Sequence, residues 1–250
     1  MQKQLWDKKA QTFPRFVKDS KDTLEILAFF RAQGVDFRDK NVLDIGAGNG
    51  RFALQLAFEA SHLYASDISD SMLRHLANDA KDLGLANITT ILSPWEECDI
   101  SKLRLDIAFA AMTPALNNFA SFKKALCASK EGLCYVGWGR VRQSAFLDEI
   151  FAQHNMRVEL PTGLPQVLQW LSELKMEIPT YCYKEASYTY SANSDKAIED
   201  ITWHIHIHGG SPDEEKIRQF VASKQQNGLI SYLCEREIGL CFIPANKDIV

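Results

Sequence analysis

A chain of 250 residues is long enough to bury one sizeable core, and 46% hydrophobic with 24% charged residues is an ordinary globular composition. A formal net charge of −4 and a pI near 5.9 leave no electrostatic footprint for nucleic acid as an obligate partner. The opening MQKQLWDKKAQTFPRF lacks an apolar leader core, no apolar run reaches about 18 residues, and the cysteines at 98, 127, 134, 182, 234 and 241 form no C-x-x-C pair. The expectation is therefore a cytoplasmic protein, off the membrane, with reduced thiols.

Residues 1–33 carry Trp6, Phe13, Phe16, Leu24, Leu27 and Phe30 at near-helical spacings and are expected to be helical up to Gly34. NVLDI at 41–45 is a short apolar strand running into glycines, followed by the helical stripe RFALQLAFEA. HLYASDI at 62–68 is a second strand. DSMLRHLANDAKDLG then reads as a helix, with Ser69 or Asp70 as N-cap and Gly84 as its stop. NITTILS, LDIAFAAM (105–112) and GLCYVGW (132–138) supply three more strands, and ALNNFASFKKALCAS is a helix between the last two. Strands that alternate with helices and are almost continuously apolar point to a parallel sheet covered on both faces. Further on, QSAFLDEIFAQHN and LPQVLQWLSELK read as helices around a Pro/Gly loop (Pro161, Gly163, Pro165). The stretches at 180–190 and 235–243 alternate like two strands antiparallel to each other, with a polar, helical segment between them at 193–228.

The chemistry-bearing feature is VLDIGAGNGRFALQLA. Gly46, Gly48 and Gly50 lie between a strand and a helix, where backbone comes close to a ligand and the helix start favours a negative group. The spacing is G-x-G-x-G, and Arg51 stands where the dinucleotide fingerprint would place its last glycine. Asp44, two residues before the loop, would repel a pyrophosphate but suits a ligand with an ammonium and a second positive centre. Asp67 ends the second strand, where a carboxylate accepts hydrogen bonds from ribose hydroxyls.

VLDIGAGNG with Asp44, and YASDISDSML with Asp67, resemble the class I S-adenosylmethionine-dependent methyltransferases, and LWDKKAQTF is similar to the helix with which small-molecule members cover the cofactor. The resemblance spans about residues 1–140, and the two late strands fit the family's closing hairpin. It implies an α/β Rossmann-like sheet of seven strands in the order 3-2-1-4-5-7-6, strand seven antiparallel, with helices on both faces. The expected organisation is one domain over 1–250: an N-terminal helical cap (1–38), a core (39–192 and 229–250) and a helical lid (193–228). It implies S-adenosylmethionine as cofactor, with Asp44, Gly46, Ala47, Gly48 and Gly50 on the methionine part and Asp67 on the ribose. Ile68 and Met72 would flank the adenine, and Ala111 and Met112 would meet its amino group through backbone carbonyl. The acid the family often carries after the third strand is replaced by Ser93-Pro94-Trp95. Trp95 is then either an adenine wall or ordinary core packing, and Glu96 is the nearest acid.

The acceptor belongs beyond the carboxyl ends of the strands. There Thr113-Pro114-Ala115 does not match the Asn/Asp-Pro-Pro-aromatic motif of base methyltransferases. Thr113 is a substrate contact or the N-cap of the next helix. Trp6, Phe13, Trp138, Arg140, Arg142 and His204 are the remaining candidates for the pocket. Arg140 and Arg142 suit a carboxylate or phosphate, and no residue declares itself as a general base. The expected function is methyl transfer to a small molecule, with a cofactor-sensing regulatory protein and an RNA or protein methyltransferase as alternatives. In ITWHIHIHGG, His204, His206 and His208 alternate, as a strand would require, yet Ile198, Ile201 and Ile205 recur at helical spacing. The stretch is read as a helix that ends before Gly209. His204 and His208 then share a face, but no acid or cysteine completes a set, so no metal site is expected.

Overall fold

The computed structural model describes residues 2–157 and 160–246. Strands β1 (Asn41–Ile45), β2 (His62–Asp67), β3 (Ile88–Leu92), β4 (Ile107–Ala111) and the first half of β5 (Gly132–Gln143) run parallel. Past β5 lies the long strand β8 (Leu229–Pro244), antiparallel to it. Beyond β8 come β6 (Tyr181–Glu185) and β7 (Tyr188–Asn193), both antiparallel to β8. The path is β3-β2-β1-β4-β5-β8-β6, with β7 continuing along β8. This is the expected order with one change. The stretch expected as a single strand at 180–190 is two, because the chain kinks at Ala186–Ser187, where the Ala186 amide donates to Arg236 O (2.9 Å) and Ser187 Oγ accepts from the Arg236 amide (3.1 Å). β8 also starts at Leu229, six residues before the alternation becomes visible, because β7 pairs its first half from Asn193↔Leu229 to Tyr188↔Cys234. Residues 247–250 of the segment expected to complete the core lie outside the described residues.

Helices cover both faces because neighbouring strand residues point to opposite sides. Val42 of β1 packs with Leu27, Phe30, Leu54, Leu63 and Phe109 under α2 (Lys21–Ala32), α3 (Ala53–Ala57) and α4 (Asp70–Asp82). Leu43 and Ile45 pack with Phe122, Leu164 and Leu171 under α5 (Phe119–Leu126) and α7 (Leu164–Glu173). Each such buried side chain contributes roughly 1.5–3 kcal/mol of transfer free energy. A third cluster lies apart, where α6 (Ala145–Gln153), α8 (Ser194–Ile207) and α9 (Glu214–Lys224) pack Phe146, Ile150, Ile201, Ile205, Ile217 and Phe220 against Ile230.

The local signals act largely as expected. Ser69 caps α4 by accepting from the Met72 amide, and Met72, Leu73, Leu76 and Ala80 form its buried stripe. The histidine stretch is helical: Ala197, Ile201 and Ile205 are buried and α8 ends ahead of Gly209. Its cap is Asn193, through a 2.9 Å bond from the Lys196 amide. At the N-terminus the expected helix to residue 33 is broken. α1 (Gln2–Lys9) and α2 are separated by a turn containing Pro14, which has no amide to continue a helix, and Ser20 starts α2 afresh.

Candidate active site

β1 passes into the next helix through Gly46–Gly50. The Gly46 and Ala47 amides donate to Ser66 O of β2 at 2.8 and 2.9 Å, which pulls the loop over the end of the neighbouring strand. Gly46 has φ +70°, and a Cβ there would stand 2.0 Å from Thr113 Oγ1, so only glycine fits. Gly48 differs. Its φ is +55°, yet a Cβ would meet nothing within 4 Å, so this side of the loop is open toward a ligand.

Two acids frame that opening. Asp67 accepts from the Gly48 amide (2.9 Å, Oδ2) and from the Ser69 amide (2.8 Å, Oδ1), so it ties the loop to the start of α4 and keeps lone pairs to spare. Asp44 is 2% exposed. Burial, and then the charge of Asp67, push its pKa up to about 7, against one hydrogen bond from the Ala53 amide. Burial raises the pKa of Asp67 as well. Among the described residues no cationic side chain forms an ion pair with either acid. A buried Asp44 beside a half-buried Asp67, without a cation, fits a positively charged ligand, and an ammonium with a sulfonium suits the pair better than a pyrophosphate does.

α1 is fastened over this opening by residues that the sequence did not single out. Asp7 accepts from Ser69 Oγ (2.7 Å) and from the Ser71 amide (3.1 Å). Burial works against its charge, but the bonds from Lys3, Ser69 and Ser71 prevail and hold its pKa down to about 2. Asn49, inside the glycine loop and buried, donates to Pro14 O, and Arg15 reaches His75 (2.8 Å) and Asp79 on α4. These contacts join residues 35 to 64 positions apart, and no local pattern announces them.

The other candidates divide. Met72 is buried in the first turn of α4, just after Ile68. Met112 has φ +50°, and its amide donates to Val136 O at 2.7 Å, so the chain bends sharply beside the glycine loop. Of the two roles open to Trp95, the geometry favours packing: it is 3% exposed in the α5 face of the core, and its indole N–H donates to Ser121 O (2.9 Å). Thr113 takes the capping role, accepting from the Ala115 amide (3.1 Å) ahead of Pro114 while it packs on Gly46. Arg140 does not join the pocket. It pairs with Glu237 (2.9 Å) and lies over the Tyr183 ring. The reason is an irregularity in the β5–β8 pairing between Trp138 and Arg142, which breaks the alternation and re-aims the side chains.

Arg142 does join it. A cavity of about 310 Å³ lies at the carboxyl end of β5, between α1, α6, α8 and the β7–β8 hairpin. Trp6, Phe13, Trp138, Arg142 and His204 line it, with the unanticipated Tyr190 and Tyr232 stacked on one another at 4.7 Å. α8 is braced on α1: the Trp203 indole N–H donates to Leu5 O (3.2 Å), its ring meets Trp6 edge-on (5.3 Å), and Lys9 pairs with Asp200 (2.8 Å). The three histidines part company. His206 and His208 are exposed, and His208 Nδ1 bonds His204 O (2.7 Å), while His204 faces the cavity. Burial first, then the positive charges of Arg142 and Lys9, push the His204 pKa down to about 4, so the ring is neutral at pH 7. Among the described residues no three His, Cys, Asp or Glu side chains gather around a potential metal position.

A nearly parallel sheet reversed at its next-to-last strand, with a glycine loop and two acids, one buried and one half-buried, at the carboxyl edge, defines the class I S-adenosylmethionine-dependent methyltransferases. A family model described as a methyltransferase domain matches residues 36–196, more than half of the chain, and the chain belongs to that family; S-adenosylmethionine is its cofactor. The chain is similar to an uncharacterized protein of Haemophilus influenzae, 27% identical over 237 residues, 89% of this chain and 82% of the relative. The fold is similar to that of a candidate methyltransferase from Bacillus halodurans C-125 (TM-score 0.63, 15% identity, 91% of this chain and 100% of that one). It is also similar to a candidate sarcosine dimethylglycine methyltransferase from Galdieria sulphuraria (TM-score 0.51, 15% identity, 88% and 83%). No helix among the described residues is long and apolar enough to cross a membrane.

Proposed function

We propose that the chain methylates a small molecule held in the cavity beneath α1 and α8. The observation that carries this reading is the cavity itself: about 310 Å³, walled by aromatic rings, roofed by two braced helices and set at the carboxyl edge of the sheet. That volume is of small-ligand size.

When bound, S-adenosylmethionine supplies a methyl group activated by its sulfonium for in-line displacement. Asp44 binds the ammonium, the backbone of the Gly46–Gly50 loop lies against the methionine part, and Asp67 binds the ribose hydroxyls. Ile68 and Met72 flank the adenine, and the backbone at Ala111 and Met112 meets its amino group. Trp6 and Phe13 belong both to the covering segment and to the cavity wall, so the same chain segment closes the cofactor in and shapes the acceptor space. A dry, aligned site is the main requirement of such a displacement. His204, the imidazole of the cavity wall, is neutral and accepts a hydrogen bond from a hydroxyl or amine acceptor, which orients it toward the methyl group. The test is incubation with methyl-labelled cofactor and a cell extract split into small-molecule and macromolecular fractions. Label in the small-molecule fraction is expected. Label only in RNA or protein, or no transfer despite cofactor binding, overturns the proposal.

A further inference from the structure

Among the described residues, three polar side chains on the cavity wall form no ion pair or hydrogen bond with another side chain. Ser144 stands at the N-cap position of α6, yet its hydroxyl makes no capping bond; it is 6% exposed, and Ser144 Oγ has no hydrogen-bond partner among the described residues. A serine at an N-cap ordinarily satisfies one of the free amides of the first turn, so here both hydroxyl and helix start are left for something else. Arg142 has no carboxylate within ion-pair distance among the described residues. Its guanidinium lies over the Trp138 ring at 4.6 Å, and it pairs in register with Arg236 of β8. Arg236 is also on the cavity wall; it spends one N–H on Ala186 O (2.6 Å) and rests on the Tyr188 ring.

The acids nearby do not neutralise this pair. Asp200 is taken up by Lys9, Lys196 and Tyr190, and Glu235 accepts from Gln143 at the exposed rim, where Asp148 also lies. Two adjacent guanidiniums, a buried unpartnered hydroxyl and the positive end of a nine-residue helix thus converge on one wall of the space. Each of these favours an anion, and the planar guanidinium fork matches a carboxylate or phosphate with two parallel bonds.

We propose that the methyl acceptor is an anion whose carboxylate or phosphate group seats against Arg142 and Ser144 at the start of α6. The claim rests on the cavity being the acceptor site and adds the chemical class of acceptor. The stacked Tyr190–Tyr232 pair and the Trp6, Trp138 and Trp203 rings give the rest of the acceptor a flat, apolar bed. Neutralising Arg142 also removes one of the charges that disfavour a proton on His204, so seating the anion makes that imidazole a better base in the same event.

The test is binding of matched probes to the protein saturated with S-adenosylhomocysteine, followed by NMR and calorimetry: benzoate against benzamide, and phenyl phosphate against phenol, with inorganic phosphate alone as control. The charged member of each pair is expected to bind at least tenfold more tightly than its neutral partner. Arg142→Gln is expected to erase that preference, and Ser144→Ala to reduce it several-fold, with the affinity for S-adenosylhomocysteine unchanged. Phosphate binding as well as phenyl phosphate identifies a bare anion subsite; phenyl phosphate binding alone identifies a site that reads the ring too, and either supports the proposal. Equal affinity for acid and neutral probes, or no binding of any acid, overturns it. If Arg142→Gln does not fold, Arg142→Lys, which keeps the charge and loses the fork, is expected to weaken the acids three- to tenfold. Failure to bind S-adenosylhomocysteine would instead strike the cofactor reading, and the two failures are separately visible.

Discussion

Replacing Asp44 by Asn should stabilise the empty protein and deprive it of its cofactor. Asp44 is buried beside Asp67, and its pKa moves from 3.8 to about 7, chiefly through lost hydration. At about 1.4 kcal/mol per unit, an ionised Asp44 costs the fold about 4 kcal/mol above pH 7. The folded pKa lies above the unfolded one, so this stability is fully present below about pH 4, declines as pH rises, and has been lost once pH passes about 7. The amide keeps an acceptor for the Ala53 amide but carries a desolvation cost of its own, of order 1–2 kcal/mol. Asp44→Asn is therefore expected to gain about 2–3 kcal/mol at pH 8, a rise in Tm of about 5–10 °C for a chain of this size. Because the charge is absent at low pH, that advantage should shrink by about 3 kcal/mol between pH 8 and pH 5. Thermal unfolding of both proteins across pH 5–8, followed by circular dichroism, measures this directly. A difference in Tm that does not change with pH, or a variant less stable at pH 8, would refute the reasoning. The same melts with added S-adenosylmethionine complete it: the wild type should shift upward and the variant should not.

Further outcomes follow from the same geometry. Asp67→Ala leaves the Gly48 and Ser69 amides without their acceptor; it should cost about 1–3 kcal/mol of stability and at least tenfold in cofactor affinity by calorimetry, and wild-type affinity would count against its role on the ribose. Gly46→Ala drives a methyl into Thr113 and should fold poorly, whereas Gly48→Ala meets open space and should fold with about 1 kcal/mol of backbone strain while losing cofactor; circular dichroism with calorimetry separates the two, and equal behaviour would contradict the assigned open side. His204, its pKa held down to about 4, should show no protonation by NMR titration above pH 5 in the empty protein, and a midpoint near 6.5 would refute its burial. The unfolded chain protonates this ring first, so the stability that a neutral His204 contributes is present above about pH 6.5 and is lost as pH falls toward 4.

The sheet and the cofactor loop were written in local signals: continuous apolar runs in VLDI and IAFAA, the Ser69 cap ahead of an apolar stripe, and three glycines between strand and helix with acids at either side. Such features act within a few residues, through sterics and burial, so their spacing along the chain is their spacing in the fold. The cavity beneath α1 and α8 has a different origin. Arg140 and Arg142 are indistinguishable in the sequence, and only the irregular pairing of β5 with β8 sends one to Glu237 and the other to the cavity. Asp7, Asn49 and Ser144 carry no motif, because their partners, or the lack of one, depend on chain 35 or more residues away. The three histidines that invite a metal-site reading are separated by the helix that carries them, which exposes two and turns His204 inward beside a guanidinium. The sequence alone thus determined the five parallel strands, the turn chemistry and the acids that suit a cationic cofactor. The tertiary structure decided which side chains meet around the cavity, since that depends on register and on long-range packing, which no period along the chain encodes.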